Sequence, residues 1–359
     1  MPEDLRDRPD VSNDPFSDVL RLTDPKAVVS GGFAAGGTWS LRFPPPREIK
    51  FSVIAKGACW FRLDGQRKAH RVEQGDVGLL PGRSGYVLAS SEAALTAPTQ
   101  DSRRVVGEGG RFATIGDGSQ CVVLAGGVSL HPSSKALLTD VLPALLLVRA
   151  AAPEAAGLRW IVEQIVRERT STVPGAGVAS AQLAQLLFTQ VLRGHLAGPG
   201  ALPAGWLRAI RDEQISPVLR LIHGDPARAW TLGELAKAAG MSRTSFAARF
   251  KASAGVAPLA YLTSWRMRLA QRVLREETTS VSQLGQSLGY ATESAFSHAF
   301  KRVTGSAPRT YRDAARQLES AAEAGDVAAD APPVRRTNEQ VFRTLEHSKS
   351  APQDVSLSS

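Results

Sequence analysis

One stretch of the chain occurs twice, and this limits the possible fold more than any other feature. Thr231–Lys251 returns as Ser280–Lys301. The spacing is 49 residues up to Gly240 and Gly289 and 50 from Phe246 and Phe296 onward, because the second copy has one more residue in its turn. Each copy opens with an N-cap residue, Thr231 or Ser280. Glu234 or Gln283 follows three positions later, the pattern of a capping box. Leu232 and Leu235, like Val281 and Leu284, make a one-sided apolar face. Gly240 and Gly289 supply the left-handed residue that ends a helix, and Ser242 can cap the next one. Phe246 and Phe250, and Phe296 and Phe300, are four apart, so each pair shares a helix face that packs onto the preceding helix. Helix, glycine turn, helix is the plan whose second helix enters the DNA major groove. A single copy would describe many helical hairpins. Two copies joined by a helix predict an all-α domain over 213–316, with units at 231–251 and 280–301.

The charge falls in the same place. Residues 225–316 carry 14 Lys and Arg against 6 Asp and Glu, a net +8 within a chain of net +9. Eleven of the 14 are Arg. A basic, Arg-rich domain is the electrostatic footprint of a nucleic-acid binder. Residues 317–359, with 4 basic and 7 acidic side chains and much Ala, Ser and Pro, read as a disordered tail.

The N-terminal half has a different rhythm. Short apolar runs, Trp39–Phe43, Phe51–Ile54, Ala58–Leu63, Val77–Leu80, Tyr86–Ala89 and Cys121–Leu124, alternate with turn signals such as Pro44-Pro45-Pro46, Asp64-Gly65 and Pro81-Gly82. They predict a β-sandwich or small barrel. Leu137–Val148, Ala155–Arg169 and Ser180–Leu196 have helical length and spacing, and 198–212 reads as a linker. The last helix carries a stripe of Leu183, Leu186, Leu187 and Val191, suited either to a dimer partner or to packing within the subunit. The longest apolar run, Val141–Val148, is too short to span a bilayer, and the acidic start Met-Pro-Glu-Asp is not a secretory signal. Two cysteines, Cys59 and Cys121, make no disulfide framework. A soluble protein of a reducing cytoplasm is expected.

The residues Trp265-Arg266-Met267 of the joining helix and the closing Gly305-x-x-Pro308-x-x-Tyr311-Arg312 complete a pattern over Pro217–Arg316. It closely resembles the DNA-binding domain of the AraC/XylS family of transcription regulators. Gly75-Asp76-Val77-Gly78-Leu79-Leu80-Pro81, with the two strands of Phe51–Gly65 before it, resembles the cupin-type sensor found ahead of such domains, over residues 14–197. The resemblance implies an α+β, two-domain chain: a cupin-like β-barrel with a helical dimerisation segment, then an all-α double helix-turn-helix. It implies a sequence-specific regulator rather than an enzyme, modulated by a small-molecule effector or by dimerisation. Promoter DNA, a homodimer partner and RNA polymerase are the implied partners. Cupin enzymes hold a metal through closely spaced His residues. Here there is no His-x-His, Tyr86 stands near the place of the last His, and His70 and His131 are isolated. No metal and no cofactor are expected. The rival readings are a cupin enzyme fused to a DNA-binding domain and an architectural protein binding DNA without sequence preference.

With the Phe pairs committed inward, Arg243, Thr244, Ala247 and Ala248 face outward on the first recognition helix, and Glu293, Ser294, Ser297 and His298 on the second. Family members often carry Arg where Ala248 stands, so the first helix would read thymine methyls and shape. Glu293 suits cytosine N4 and His298 a purine acceptor. Phosphate contacts need only charge, which Arg243, Lys251, Lys301, Arg302, Arg309 and Arg312 offer. Arg249 can instead pack along its helix. Arg266, Arg268, Arg272 and Arg275 on the joining helix suit either phosphate contact or local pairing. Trp39, Phe51, Trp60, Phe61 and Tyr86 are candidates to line an effector pocket or to form its core.

Overall fold

In a computed structural model, which describes residues 14–106, 112–152, 156–171 and 173–326, the chain forms two units. One is built from residues 25–129 and 142–198, the other from the segments ending at Asp24, spanning Leu130–Val141 and beginning at Pro199.

The first unit is a sandwich of two sheets. Its strands are β1 (Lys26–Ala35), β2 (Ser40–Phe43), β3 (Ile49–Lys56), β4 (Ala58–Leu63), β5 (Ala69–Glu73), β6 (Val77–Leu80), β7 (Tyr86–Ala89), β8 (Gln100–Asp101), β9 (Phe112–Ile115), β10 (Cys121–Ser129) and β11 (Leu146–Val148). One sheet has the order β11-β6-β3-β10-β1-β9, the other β5-β4-β7-β2-β8. Two strand pairs, β1 with β9 and β2 with β8, are parallel; the others are antiparallel. The expected barrel is corrected here: among the described residues no strand pairs across the two sheets, so the sheets do not close into a barrel. Phe33, Ile54 and Val123 of one sheet meet Leu41, Phe61, Tyr86 and Leu88 of the other in a shared core. Cys59 and Cys121 are buried in it as free thiols, hydrogen-bonded to each other.

Gly75 takes φ +88° at the turn before β6. Asp76 is buried beside it, and its carboxylate accepts from the Glu73 and Ala150 backbone N–H groups and from Arg149 at 2.9 Å. That buried, fully paired carboxylate fixes the approach to β11. Leu137–Val148 is therefore not one helix, as its spacing suggests. Residues Ala136–Thr139 make a single helical turn. Beyond Pro143, which has no N–H to continue a helix, Leu146–Val148 pairs with β6 as an edge strand. The unit also holds α2 (Ser102–Val106), α4 (Ala156–Thr170) and α5 (Ala176–Ala197), the turn at Ala136–Thr139 being α3 in chain order. Both long helices begin and end close to expectation. In α5 the residues Ala184, Leu187, Phe188, Val191 and Leu192 are buried, so Leu187 and Val191 of the stripe pack within the subunit, while Leu183 is half-buried and Leu186, with Val178, stays exposed.

The second unit is helical: α1 (Pro15–Thr23), α3, α6 (Trp206–Arg211), α7 (Ser216–Gly224), α8 (Leu232–Ala238), α9 (Arg243–Ala254), α10 (Pro258–Glu276), α11 (Val281–Ser287), α12 (Glu293–Thr304) and α13 (Pro308–Asp326). Two boundaries move. The expected linker 198–212 contains α6, whose Trp206, Leu207 and Ala209 are buried. Of the expected tail 317–359, residues up to Asp326 belong to α13, and 327–359 lie outside the described residues. The unit also takes in α1 and residues 130–141, far away in sequence. His223 of α7 is fully buried, stacked on Trp265 at 3.8 Å, with Nδ1 3.1 Å from Asp18 Oδ2 of α1 and Nε2 2.9 Å from the Tyr261 hydroxyl. Burial holds this imidazole below its ordinary pKa, against the pull of Asp18. Arg275, buried in α10, donates to Ser133 and lies 3.1 Å from His131 Nδ1.

Candidate nucleic-acid interface and effector cavity

Each helix-turn-helix is assembled by the residues that the repeat singles out. Thr231 Oγ1 accepts from the Glu234 N–H while the Glu234 carboxylate accepts from the Thr231 N–H, and Ser280 and Gln283 do the same. The capping bonds, with Arg228 adding a third partner, hold the Glu234 carboxyl down at about 2. Gly240 (φ +66°) and Gly289 (φ +80°) are the left-handed residues. Gly289 is constrained twice over, since a Cβ there would come within 1.9 Å of the Ala227 carbonyl. Ser242 caps α9 through the Ser245 N–H. Thr292 caps α12 through the Ala295 N–H, a cap the sequence analysis did not single out. Phe246, Phe250, Phe296 and Phe300 are fully buried.

With those rings turned inward, the outward faces follow. Arg243, Thr244 and Ala248 on α9 are exposed, and Ala247 is half-buried. Arg243 lies back over Gly233 of α8, its guanidinium 3.1 Å from where a Cβ there would stand. On α12, Glu293, Ser294 and His298 are exposed and Ser297 is half-buried. Glu293 lies 3.6 Å from Arg309, and both are solvent-facing.

The cations divide into two groups. Lys251, Lys301, Arg302 and Arg309 are exposed around the two helices. Arg312, expected with them, is not among these exposed cations. It is half-buried and donates to the Thr279 carbonyl, fastening α13 to the loop before the second helix-turn-helix. Arg249 is held by Asp212, with bonds of 3.0 and 3.1 Å. Burial opposes the charge on Asp212. The hydrogen bonds from Arg249, Ser253 and the Gln214 N–H outweigh it and keep the carboxyl below its ordinary value. Of the two readings left open for the joining helix, local pairing describes three of the four arginines. Arg266 donates to the Pro226, Ala227 and Arg228 carbonyls, Arg272 pairs with Glu276, and Arg275 is buried. Arg268 is half-buried.

In the sandwich an open cavity of about 380 Å³ lies between the sheets. Phe33, Phe43, Tyr86, Leu88 and Val123 line its apolar side, and Ser52 and Lys50 its polar side. Of the five expected aromatics, Tyr86 lines this cavity and Phe61 lines a smaller adjoining void. Trp39 is buried in the sandwich core. Phe51 is buried on the opposite face of β3 from Lys50 and Ser52, as the alternation of a strand requires. Trp60 packs on Ala94 and Leu95 instead. Sequence reasoning missed Lys50 and Phe43. Only the pairing of β3 and β2 into facing sheets brings them to one space. His70 lies half-buried on β5, and His131 Nδ1 sits 2.9 Å from the Ser133 hydroxyl. Among the described residues no three His, Cys, Asp or Glu side chains converge on a metal position, and no helix is long and apolar enough to cross a membrane.

A family model described as Cupin matches residues 14–197, and one described as Helix-turn-helix domain matches 235–314. A putative AraC-like transcription regulator of Streptomyces lividans is 36% identical over 83% of this chain and 98% of its own length. The RCS-specific HTH-type transcriptional activator RclR of Escherichia coli is 27% identical over 85% of this chain and 99% of its own. Among solved structures, the DNA-binding domain of AdpA in complex with a target DNA is 32% identical, covering 30% of this chain and 96% of that one, with a TM-score of 0.28.

Proposed function

The chain belongs to the AraC-like transcription regulators, and for this DNA-binding regulator we propose that α9 and α12 read two adjacent major-groove segments of one operator. The observation that carries this reading is the pair of exposed helix faces, each backed by its own buried Phe pair and flanked by exposed cations. Arg243, Thr244, Ala247 and Ala248 read the first segment, and Glu293, Ser294, Ser297 and His298 the second. Lys251, Lys301, Arg302 and Arg309 contact phosphates and set register without reading sequence. The Glu293–Arg309 pair is exposed, so it can open at little cost and release each partner to DNA.

The cavity in the sandwich is the effector site. Two strands that line it, β1 and β10, pair with each other, Lys26 opposite Ser129. In the chain, β1 follows directly on α1 and β10 runs directly into residues 130–141, and both of these segments are built into the helical unit. An effector that binds one arrangement of β1 and β10 better than another would shift the population of the DNA-binding form. Val178 and Leu186, the exposed part of α5, serve a homodimer contact, and RNA polymerase is the partner through which promoter binding changes transcription.

The test is selection of the full-length protein against a random duplex library at fixed physiological salt. Enrichment of one site with two elements about one helical turn apart is the expected result. Salt-sensitive bulk binding with no enriched sequence would overturn the two-segment reading.

A further inference from the structure

Among the described residues, the charges that line the cavity are all of one sign: Arg47, Lys50 and Arg103 line it, and no described Asp or Glu does. Lys50 is half-buried on β3, with its Nζ 5.5 Å from the centre of the Phe43 ring. No carboxylate among the described residues pairs with it, and burial alone holds its ammonium below the ordinary pKa. A partly desolvated cation without a counter-ion is costly, and an anion placed against it removes that cost. Arg47 and Arg103 are exposed, so they add attraction at the mouth rather than a fixed contact.

The opposite wall is aromatic. The Phe43 and Tyr86 rings stack at 4.7 Å with 5° between their planes, and Phe33 stacks on Phe43 at 6.4 Å. The Tyr86 hydroxyl is fully buried and hydrogen-bonded to Ser52, and burial keeps it neutral. A volume of about 380 Å³ suits a small molecule and not a peptide or a lipid chain bilayer-deep. We propose that this cavity takes a small organic anion, a carboxylate on a flat apolar body, with Lys50 holding the carboxylate and the Phe43–Tyr86 stack holding the body. The assignment rests on the reading of the cavity as the effector site and narrows it to one ligand class.

The experiment uses the full-length protein and two probes, 2-naphthoate and its neutral amide 2-naphthamide, titrated by calorimetry. The acid should bind one to one and at least about tenfold tighter than the amide. Lys50→Met should bring acid and amide to within about twofold of each other and leave retention of selected operator DNA unchanged. Lys50→Gln repeats the neutralisation with a polar side chain, so one folded variant suffices, and retained binding of the neutral amide identifies a folded sandwich. Equal affinity for acid and amide in the wild type overturns the anion assignment. So does a folded neutral variant that binds the acid as tightly as the wild type, or a wild type that binds neither probe. Operator retention measured with and without the acid separates the two readings. Lys50-dependent binding that leaves DNA retention unchanged upholds the anion site and refutes its role as an effector site.

Discussion

In the first helix-turn-helix copy the recognition helix is tied from outside: Asp212, just past α6, grips Arg249 and also accepts from Ser253. In the second copy Ala299 stands where Arg249 does, and the outside tie goes to the start of the copy instead, where Arg312 of α13 reaches the Thr279 carbonyl just before α11. The inner parts correspond closely. Both copies have a capping box, a left-handed glycine and two buried phenylalanines, with Tyr261 edge-on to Phe250 and Tyr311 edge-on to Phe300. The outer faces differ again: Arg243, Thr244 and two alanines on α9, Glu293, two serines and His298 on α12. A duplicated unit thus keeps the contacts that make it fold, while its anchors and its reading surface are free to diverge.

The equivalence of the two cores is the first thing to break. Phe250→Ala and Phe300→Ala should each cost about 3–5 kcal/mol, since both rings are fully buried. Urea denaturation of the two variants should give similar losses, and a loss below 1 kcal/mol at either position would show that its core is not shared in kind. The difference between the reading surfaces comes next. Arg243→Ala should relax the preference at one base of the first element, and His298→Ala at one base of the second, each by about 1–3 kcal/mol in library selections. Variants that alter the same element would remove the assignment of one helix to each segment.

The two anchors should differ in their response to pH. Asp212 has a depressed folded pKa, so its contribution is complete above the ordinary carboxylate value of 3.8 and is lost as pH falls through the lower folded value. Asp212→Asn should cost about 1–2 kcal/mol at pH 7 and flatten the loss of stability below about pH 4. Arg312→Met should lower stability with no such acid dependence, because its acceptor is a carbonyl. The smallest effect is expected at Lys301. Lys301→Ala should weaken binding to all sequences alike and reduce the slope of log affinity against log salt by about 1, whereas Arg312→Met should leave that slope unchanged. A changed slope for Arg312→Met would return that residue to the phosphate contacts.

The sequence determined the helix-turn-helix units almost completely, because every force that shapes them is local. Caps act over three residues, the Phe pairs over four, and the left-handed glycines on their own backbone. The same locality made the strands of Tyr86–Ala89 and Val77–Leu80 legible. What it left open depends on partners distant in the chain. Nothing around Asp18 signals that it will meet His223, 205 residues away, or that α1 and residues 130–141 join the helical unit. Leu137–Val148 has the composition of a helix, and only the free edge of β6 makes its second half a strand. Arg312 and Lys301 look alike as exposed basic residues of a DNA-binding domain. The Thr279 carbonyl takes up one of them, and the other stays exposed to solvent. Lys50 is an ordinary surface type until the strands around it half-bury it. Its desolvation was decided by tertiary structure alone, because burial is set by what other strands bring near and not by neighbours in sequence.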